Sequence, residues 1–278
     1  MKQEDLIPPV FLSILYTENM DISSPANPKV KWLRGLFEKK KQRQQAGVFV
    51  AEGVRLLEES VRLGYSPKAV FHSDELSARA NQLVDSMQDM SSEIYQLPAH
   101  LFQKVADTET SQGIVAVFET LSHFPASPNF ILVIDQVRDP GNAGTLLRTA
   151  LAMGVDAIII TPGTVDLYSP KVVRAGMGVH FSLPMVEMDW NMINLAVKKD
   201  RSVSIVCTVV DGGTAIWELR PVFPLALVVG SEAHGVSDEG LSLADHLATI
   251  PMPGGAESLN AAIAGSIAMY EIMRLSQR

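Results

Sequence analysis

Three shortages in this 278-residue sequence narrow its identity before any motif is considered. It has a single cysteine, Cys207, so no disulfide forms within one chain. That cysteine lies in the apolar run Val203–Val210, where a buried, unreactive thiol is expected rather than a nucleophile. No stretch approaches the roughly 18 consecutive apolar residues of a membrane span. The short apolar patch Pro8–Tyr16 is flanked by Glu4, Asp5 and Glu18, without the basic start and cleavage site of a secretory signal. The six histidines, His72, His100, His123, His180, His234 and His246, are scattered, and none pairs with another at metal-ligand spacing. No metal is expected, and a reducing, cytoplasmic compartment is.

What is present is ample apolar material. Hydrophobic residues make up 47% of the chain, sufficient for one large core or two modest ones. The net charge of −8 argues at first against a nucleic-acid partner. Its distribution argues the other way. Residues 27–120 carry twelve basic and twelve acidic side chains, whereas 121–278 carry ten against fifteen. In the balanced part Lys29, Lys31, Arg34, Lys39, Lys40, Lys41 and Arg43 are opposed locally by Glu38 alone. Phosphate binding follows local potential, so this cluster is a candidate RNA contact, with a solvated helix face as the plainer alternative.

Periodicity divides the chain. Residues 1–26 read as a loosely ordered tail. Residues 27–120 alternate between helix and strand: a charged helix over Lys29–Gln45, a strand at Gly47–Ala51 and a helix over Glu52–Leu63, then strands at Lys68–Phe71, Ile94–Leu97 and Gly113–Phe118. A proline-containing stretch makes 121–129 a linker. From 130 to 278 short apolar runs bounded by turn residues predict buried parallel strands at Phe130–Ile134, Ala157–Thr161, Ser204–Val209, Leu225–Val229 and Ala248–Ile250. Helical patterns over Ala143–Met153, Trp190–Lys198 and Ser258–Leu275 alternate with them. The predicted class is α/β with a mostly parallel second sheet.

Three segments that follow strands carry the chemistry. In Asp139-Pro-Gly-Asn-Ala-Gly-Thr-Leu-Leu-Arg-Thr-Ala150 the Pro-Gly pair marks a turn, Asn142 is placed to cap the next helix, and Arg148 lies one and a half turns into it. Gly230-Ser-Glu-Ala-His-Gly235 ends an apolar strand in a glycine-bounded loop carrying Glu232. It has neither the Gly-x-Gly-x-x-Gly spacing of dinucleotide sites nor the Lys-Ser/Thr ending of a phosphate loop, which disfavours a nicotinamide or nucleotide enzyme. Ile250-Pro-Met-Pro-Gly-Gly-Ala-Glu-Ser-Leu-Asn260 puts proline- and glycine-rich backbone between a strand and a long helix, with Ser258 as the candidate cap.

Together, in order and with their spacings, these segments resemble the motifs of the SpoU (TrmH-like) RNA ribose 2′-O-methyltransferases. The likeness covers roughly residues 27–275. Gly47-Val-Phe-Val-Ala-Glu-Gly53 and Ser111-Gln-Gly-Ile-Val-Ala116 are similar to that family's L30e-like substrate domain. The resemblance implies a catalytic domain with a deep trefoil knot, a homodimer formed through it, and S-adenosylmethionine as cofactor. It implies that Thr208, Gly230, Ile250, Met252 and Leu259 hold the cofactor, largely through main chain. It also implies that Arg148 acts in catalysis with residues of the other subunit, and that Asn142, Glu232, Ser258 and Asn260 hold loops or orient the ribose. Arginine is a reluctant base, since a free guanidinium has a pKa above about 12; a bidentate grip on phosphate with stabilisation of a developing alkoxide suits it better. The L30e-like domain favours large-subunit ribosomal RNA as substrate. The alternatives are transfer RNA and a catalytically inactive RNA-binding module of the same fold.

Overall fold

The computed structural model describes residues 20–90, 93–108 and 110–276. Two sheets organise them. The first is built from β1 (Met20–Asp21), β2 (Val48–Glu52), β3 (Ala69–Ser73), β4 (Glu93–Leu97) and β5 (Ile114–Glu119), in the order β1-β4-β3-β5-β2. Its strands are parallel across β1-β4-β3 and antiparallel across β3-β5-β2. The helices α1 (Pro28–Glu38), α2 (Lys40–Ala46), α3 (Val54–Arg62), α4 (Ala78–Gln88) and α5 (Ala99–Phe102) accompany these strands along the chain. Alternate residues of β2 separate onto two cores: Val48 and Val50 on one face, Phe49 and Ala51 on the other.

The second sheet is parallel throughout, ordered β10-β12-β9-β11-β6-β7-β8. Its strands are β6 (Phe130–Ile134), β7 (Ala157–Ile160), β8 (Met185–Glu187), β9 (Ser204–Val209), β10 (Thr214–Ala215), β11 (Leu225–Val229) and β12 (His246–Thr249). Between them run α6 (Pro140–Ala152), α7 (Pro170–Gly176), α8 (Trp190–Ile193) and α9 (Asp238–Leu243), and α10 (Ala261–Ser276) follows β12. In β6 and β11 the residues Phe130, Leu132, Ile134, Leu225, Leu227 and Val229 face the core under α6 and α10. Ile131, Val133, Ala226 and Val228 face the opposite core. Burial on both faces explains the uninterrupted apolar runs.

Several sequence expectations need correction. Met20–Asp21, assigned to the loose tail, pairs with Tyr95 and Gln96 as an edge strand, and the rest of that tail up to residue 19 lies outside the described residues. The charged helix over Lys29–Gln45 is two helices, because Lys39 is extended (φ −122°, ψ 110°). Asp139, not Asn142, caps α6, its carboxylate accepting from the Asn142 amide at 2.8 Å. The last helix starts three residues later than expected. Asn260 caps it, its Oδ1 accepting from the amides of Ala262 (2.9 Å) and Ile263 (3.2 Å), so Ser258 is not the cap. The Trp190–Lys198 helix continues beyond α8 with π-type geometry over Asn194–Lys199. The short strands β8 and β10 were not anticipated.

The two halves share packing. Phe181 and Val173 of the second half enter the core around Phe49 and Phe118 of the first. The Phe181 ring lies 4.8 Å from Phe118 and 5.6 Å from Phe49, and Tyr168 lies 5.7 Å from Phe49, all centroid to centroid. His180, buried in the same cluster, meets the Leu167 carbonyl oxygen through Nε2 at 2.7 Å. Around this cluster Arg43 pairs with Asp166, Arg174 with Asp107 at 2.9 Å, and Lys40 with Glu187 at 3.2 Å.

Candidate active site

A parallel sheet presents its loops at the carboxyl ends of its strands, and ligands of such folds collect there. In this chain the carboxyl ends of β9, β11 and β12 and the start of α10 enclose a cavity of about 470 Å³. Thr208, Gly230, Ile250, Met252 and Leu259, the five residues expected to hold a cofactor, all line it, as do Glu232 and Ser258. Asn142, Asn260 and Arg148 are not among its lining residues.

The local backbone explains the motifs. After β11 the chain turns back on itself, with Ser231 and Gly235 exchanging two main-chain hydrogen bonds of 2.9 Å. A Cβ on Gly230 would stand 2.0 Å from the Gly235 carbonyl carbon and 2.1 Å from the Val236 nitrogen, so no other residue fits. In the 250–260 segment Gly255 is left-handed at φ +74° and its amide donates to the Met252 carbonyl oxygen at 3.1 Å. The amides of Met252 and Leu259 find no partner among the described residues. The cavity thus combines apolar walls from Val229, Ile250, Met252 and Leu259 with unpaired main-chain groups. That donor set fits an adenosine held by shape and backbone.

Beside the cavity a hydrogen-bonded chain joins three loops. The Asn142 side-chain amide donates to Glu232, and the Asn260 amide donates to Asn142 Oδ1 at 3.0 Å. Because Asn260 Oδ1 also caps α10, this one residue ties the last helix to α6 and to the β11 loop. Deeper along the same pair of helices Thr149 and Ser266 meet hydroxyl to hydroxyl at 2.9 Å. Arg148, on α6, is exposed, and its side chain makes no hydrogen bond or ion pair among the described residues. It is a free cation six residues along the helix from the Asn142 junction.

The basic cluster divides once tertiary partners are known. Lys31, Lys39 and Lys41 are exposed, Arg34 is half-buried, and none of the four has an ionic partner among the described residues. Lys29 is engaged by Glu93 at 2.6 Å and sits 5.1 Å from the Tyr95 ring. Lys40 reaches Glu187. Arg43 is the correction: it is buried, donates to the Leu36 and Phe37 carbonyl oxygens and pairs with Asp166, so it holds the two halves together and is not available to RNA.

Sequence reasoning missed two buried carboxylates. Asp135 is fully buried and accepts from Thr161 Oγ1 (2.6 Å) and the Ser237 amide (2.7 Å), fastening the loop after β6 to the one after β11. Glu52 accepts from the Asp107 amide, Thr108 and Ser111. The pairing of Ala-Glu-Gly with Ser-Gln-Gly in the sequence was the available signal, since Gln112 Oε1 in the second accepts from the Val54 amide, just after the first. Cys207 is buried, and burial pushes its thiol up to about 12, as expected of an inert cysteine. Among the described residues no group of three or more His, Cys, Asp and Glu comes together to hold a metal ion, and no helix is long and apolar enough to cross a membrane.

Comparison with known proteins agrees with this geometry. Residues 129–270 match the SpoU rRNA Methylase family and residues 27–116 match the MRM3-like substrate binding domain. The chain is 34% identical over 251 residues to the 23S rRNA (guanosine(2553)-2′-O)-methyltransferase RlmP of Bacillus subtilis, covering 90% of this chain and 98% of that protein. The AdoMet-bound rRNA methyltransferase from Sinorhizobium meliloti superposes with a TM-score of 0.79 at 29% identity, covering 91% of this chain and 97% of that one. The SpoU methyltransferase AviRb from Streptomyces viridochromogenes, in complex with the cofactor AdoMet, gives 0.77 at 27% identity, with coverage of 90% and 99%. The chain belongs to the SpoU rRNA methylase family and is an RNA methyltransferase whose cofactor is S-adenosylmethionine.

Proposed function

We propose that the enzyme methylates a ribose 2′-hydroxyl of large-subunit ribosomal RNA, with residues 27–120 as substrate domain, 121–129 as linker and 130–278 as catalytic domain. The observation that carries the reading is the convergence of Thr208, Gly230, Ile250, Met252 and Leu259 on one cavity, with the Asn142–Glu232–Asn260 chain beside it. The Bacillus subtilis relative, by its name a 23S rRNA 2′-O-methyltransferase, supports the choice of RNA and of position and favours a bacterial cytoplasm.

S-adenosylmethionine supplies an activated methyl group when bound. The chain's own contribution is positioning and charge management. Main chain at Gly230, Ile250 and Leu259 holds the adenosine end. Glu232, fixed by Asn142, keeps the β11 loop at the rim, and Ser258 faces the cavity where a ribose enters. Arg148 grips an RNA phosphate and stabilises the negative charge that develops on the attacking 2′-oxygen.

We extend the reading to a homodimer and to the family's knot. Ile263, Ile267 and Tyr270 on α10 are 49%, 36% and 50% exposed, while Ala261, Ala262, Gly265, Ala268, Met269 and Ile272 face inward. An exposed apolar stripe next to the site suits a second copy that brings its Arg148 to this cavity. The insertion of β12 between β9 and β10, both earlier in the chain, supports a threaded chain.

Calorimetric titration with S-adenosylmethionine, with Asn260→Ala in parallel, tests the reading. Saturable binding that the variant loses is expected, followed by a 2′-O-methyl mark on 23S rRNA. Absence of binding by the wild-type protein at millimolar cofactor overturns it in favour of an inactive RNA-binding module.

A further inference from the structure

The second half of the chain is acidic, yet its free cations are not spread evenly. Of the nine basic residues described there, Arg174, Lys198 and Arg274 are held by carboxylates and Arg201 by the Ala126 and Ala196 carbonyl oxygens. Arg138, Arg148, Lys171, Lys199 and Arg220 are exposed without such partners among the described residues. Lys199 and Arg220 lie on the connections that lead into β9 and β11, and neither lines the cavity. Arg138 follows β6, and Lys171 opens α7 after the loop from β7, so both lie at the carboxyl edge with the cavity.

These two are linked to both ends of the molecule by continuous contacts. The loop 161–169 is fastened beside residues 135–139, with the Val165 amide donating to the Val137 carbonyl oxygen at 2.9 Å and the Gln136 amide to Thr164 Oγ1 at 3.0 Å. The same loop carries Asp166, which anchors Arg43 on α2. Lys171 is thereby set between Tyr168, packed on Phe49, and Arg174, paired with Asp107 of the first half. Arg138 is set four residues before Asn142 and the hydrogen-bonded chain at the site. The carboxylate nearest to Arg138 in sequence, Asp139, is occupied in capping α6.

We propose that Arg138 and Lys171 carry the RNA backbone along the carboxyl edge of the catalytic sheet, between the exposed lysines of α1 and α2 and the cofactor cavity. Unpaired cations placed along one edge suit a phosphate backbone, which is read by charge and not by sequence. The two residues act as positioning contacts for the substrate strand, and the proposal rests on the reading of this chain as an RNA methyltransferase.

The test compares an Arg138→Gln/Lys171→Gln double variant with Lys199→Gln/Arg220→Gln, which removes the same charge from the connections into β9 and β11. Binding to deproteinised bacterial 23S rRNA is measured against salt, and S-adenosylmethionine binding is titrated on the same samples. The carboxyl-edge variant is expected to weaken RNA binding several-fold and to flatten the slope of log affinity against log salt by about 2, with cofactor binding unchanged. The Lys199→Gln/Arg220→Gln variant is expected to behave as wild type. An unchanged slope in the first variant, or an equal loss in the second, overturns the path while leaving the methyltransferase reading intact. Failure of the wild-type protein to bind S-adenosylmethionine overturns that reading instead, independently of the slopes.

Discussion

The cofactor cavity and the basic helices are built in opposite ways. The cavity is made of main chain: a turn that admits only glycine at 230, a proline- and glycine-rich segment, and apolar side chains that supply shape. The surface of α1 and α2 is made of side-chain charge on ordinary helices. A site made of backbone is specified by residues that the local conformation demands. A site made of charge is specified by which cations lack a partner, and partners come from elsewhere in the chain. The comparison teaches that substitutions in the cavity act by removing a conformation, while those on the helices act by removing one increment of potential.

The sharpest way to break this contrast is Gly230→Ala. Its methyl group collides with backbone on the far side of the turn, so cofactor binding is expected to be abolished in a calorimetric titration. Gly254→Ala, whose methyl meets nothing within 4 Å, is expected to bind nearly normally in the same titration. Equal tolerance at both positions would remove the claim that conformation specifies the cavity. Arg148→Lys keeps the charge and loses the fork. It is expected to lower kcat by about 100-fold with cofactor affinity unchanged, on the scale of a lost transition-state donor. A near-wild-type rate would mean that Arg148 belongs with the helices as a point charge.

Asp166→Asn probes the border between the two regions. It leaves the buried Arg43 guanidinium without its counter-charge, a loss of about 3 kcal/mol by urea denaturation. An unaltered midpoint would show that the halves do not depend on this pair. Replacing Lys31, Lys39 and Lys41 together with Gln is expected to weaken RNA binding about tenfold and to reduce the salt slope by about 3, without moving the melting temperature. A loss confined to one lysine would make that surface a specific site and blur the contrast.

The smallest expected effect lies at the junction. Burial pushes His180 from 6.5 down to about 4, and its Nε2 contact with the Leu167 carbonyl oxygen only partly offsets this. The unfolded chain takes up a proton below about pH 6.5 that the folded chain refuses until about pH 4. Stability is therefore expected to fall by roughly 1.4 kcal/mol per pH unit across that window. His180→Gln should remove that component, which the difference between the two urea-denaturation series against pH reads directly; parallel series would show that His180 does not titrate in this way.

The same contrast explains what could be read from the sequence. Strands β6, β9 and β11 fall on the runs Phe130–Ile134, Ser204–Val209 and Leu225–Val229, because burial on both faces leaves an uninterrupted apolar signature. The five cavity residues were legible through the family resemblance: Gly230, Ile250 and Met252 sit in the glycine- and proline-rich turns that carry it, whereas Thr208 on β9 and Leu259 have no local signal of their own. The caps were misread by one candidate each: Asp139 and Asn142, like Ser258 and Asn260, are all competent cap residues, and only the start of the helix decides between them. Arg43 was misread because its partner Asp166 is 123 residues away. The strands β1, β8 and β10 are two or three residues long, too short to carry a period.

The Asn142–Glu232–Asn260 chain has a consequence for when the enzyme becomes competent. It joins groups 90 and 118 residues apart, and the last of them precedes the final described helix. Until Asn260 has been added to the chain, neither the cap of α10 nor the tie from Asn142 can form, so the three loops close on one another only after all three segments are present.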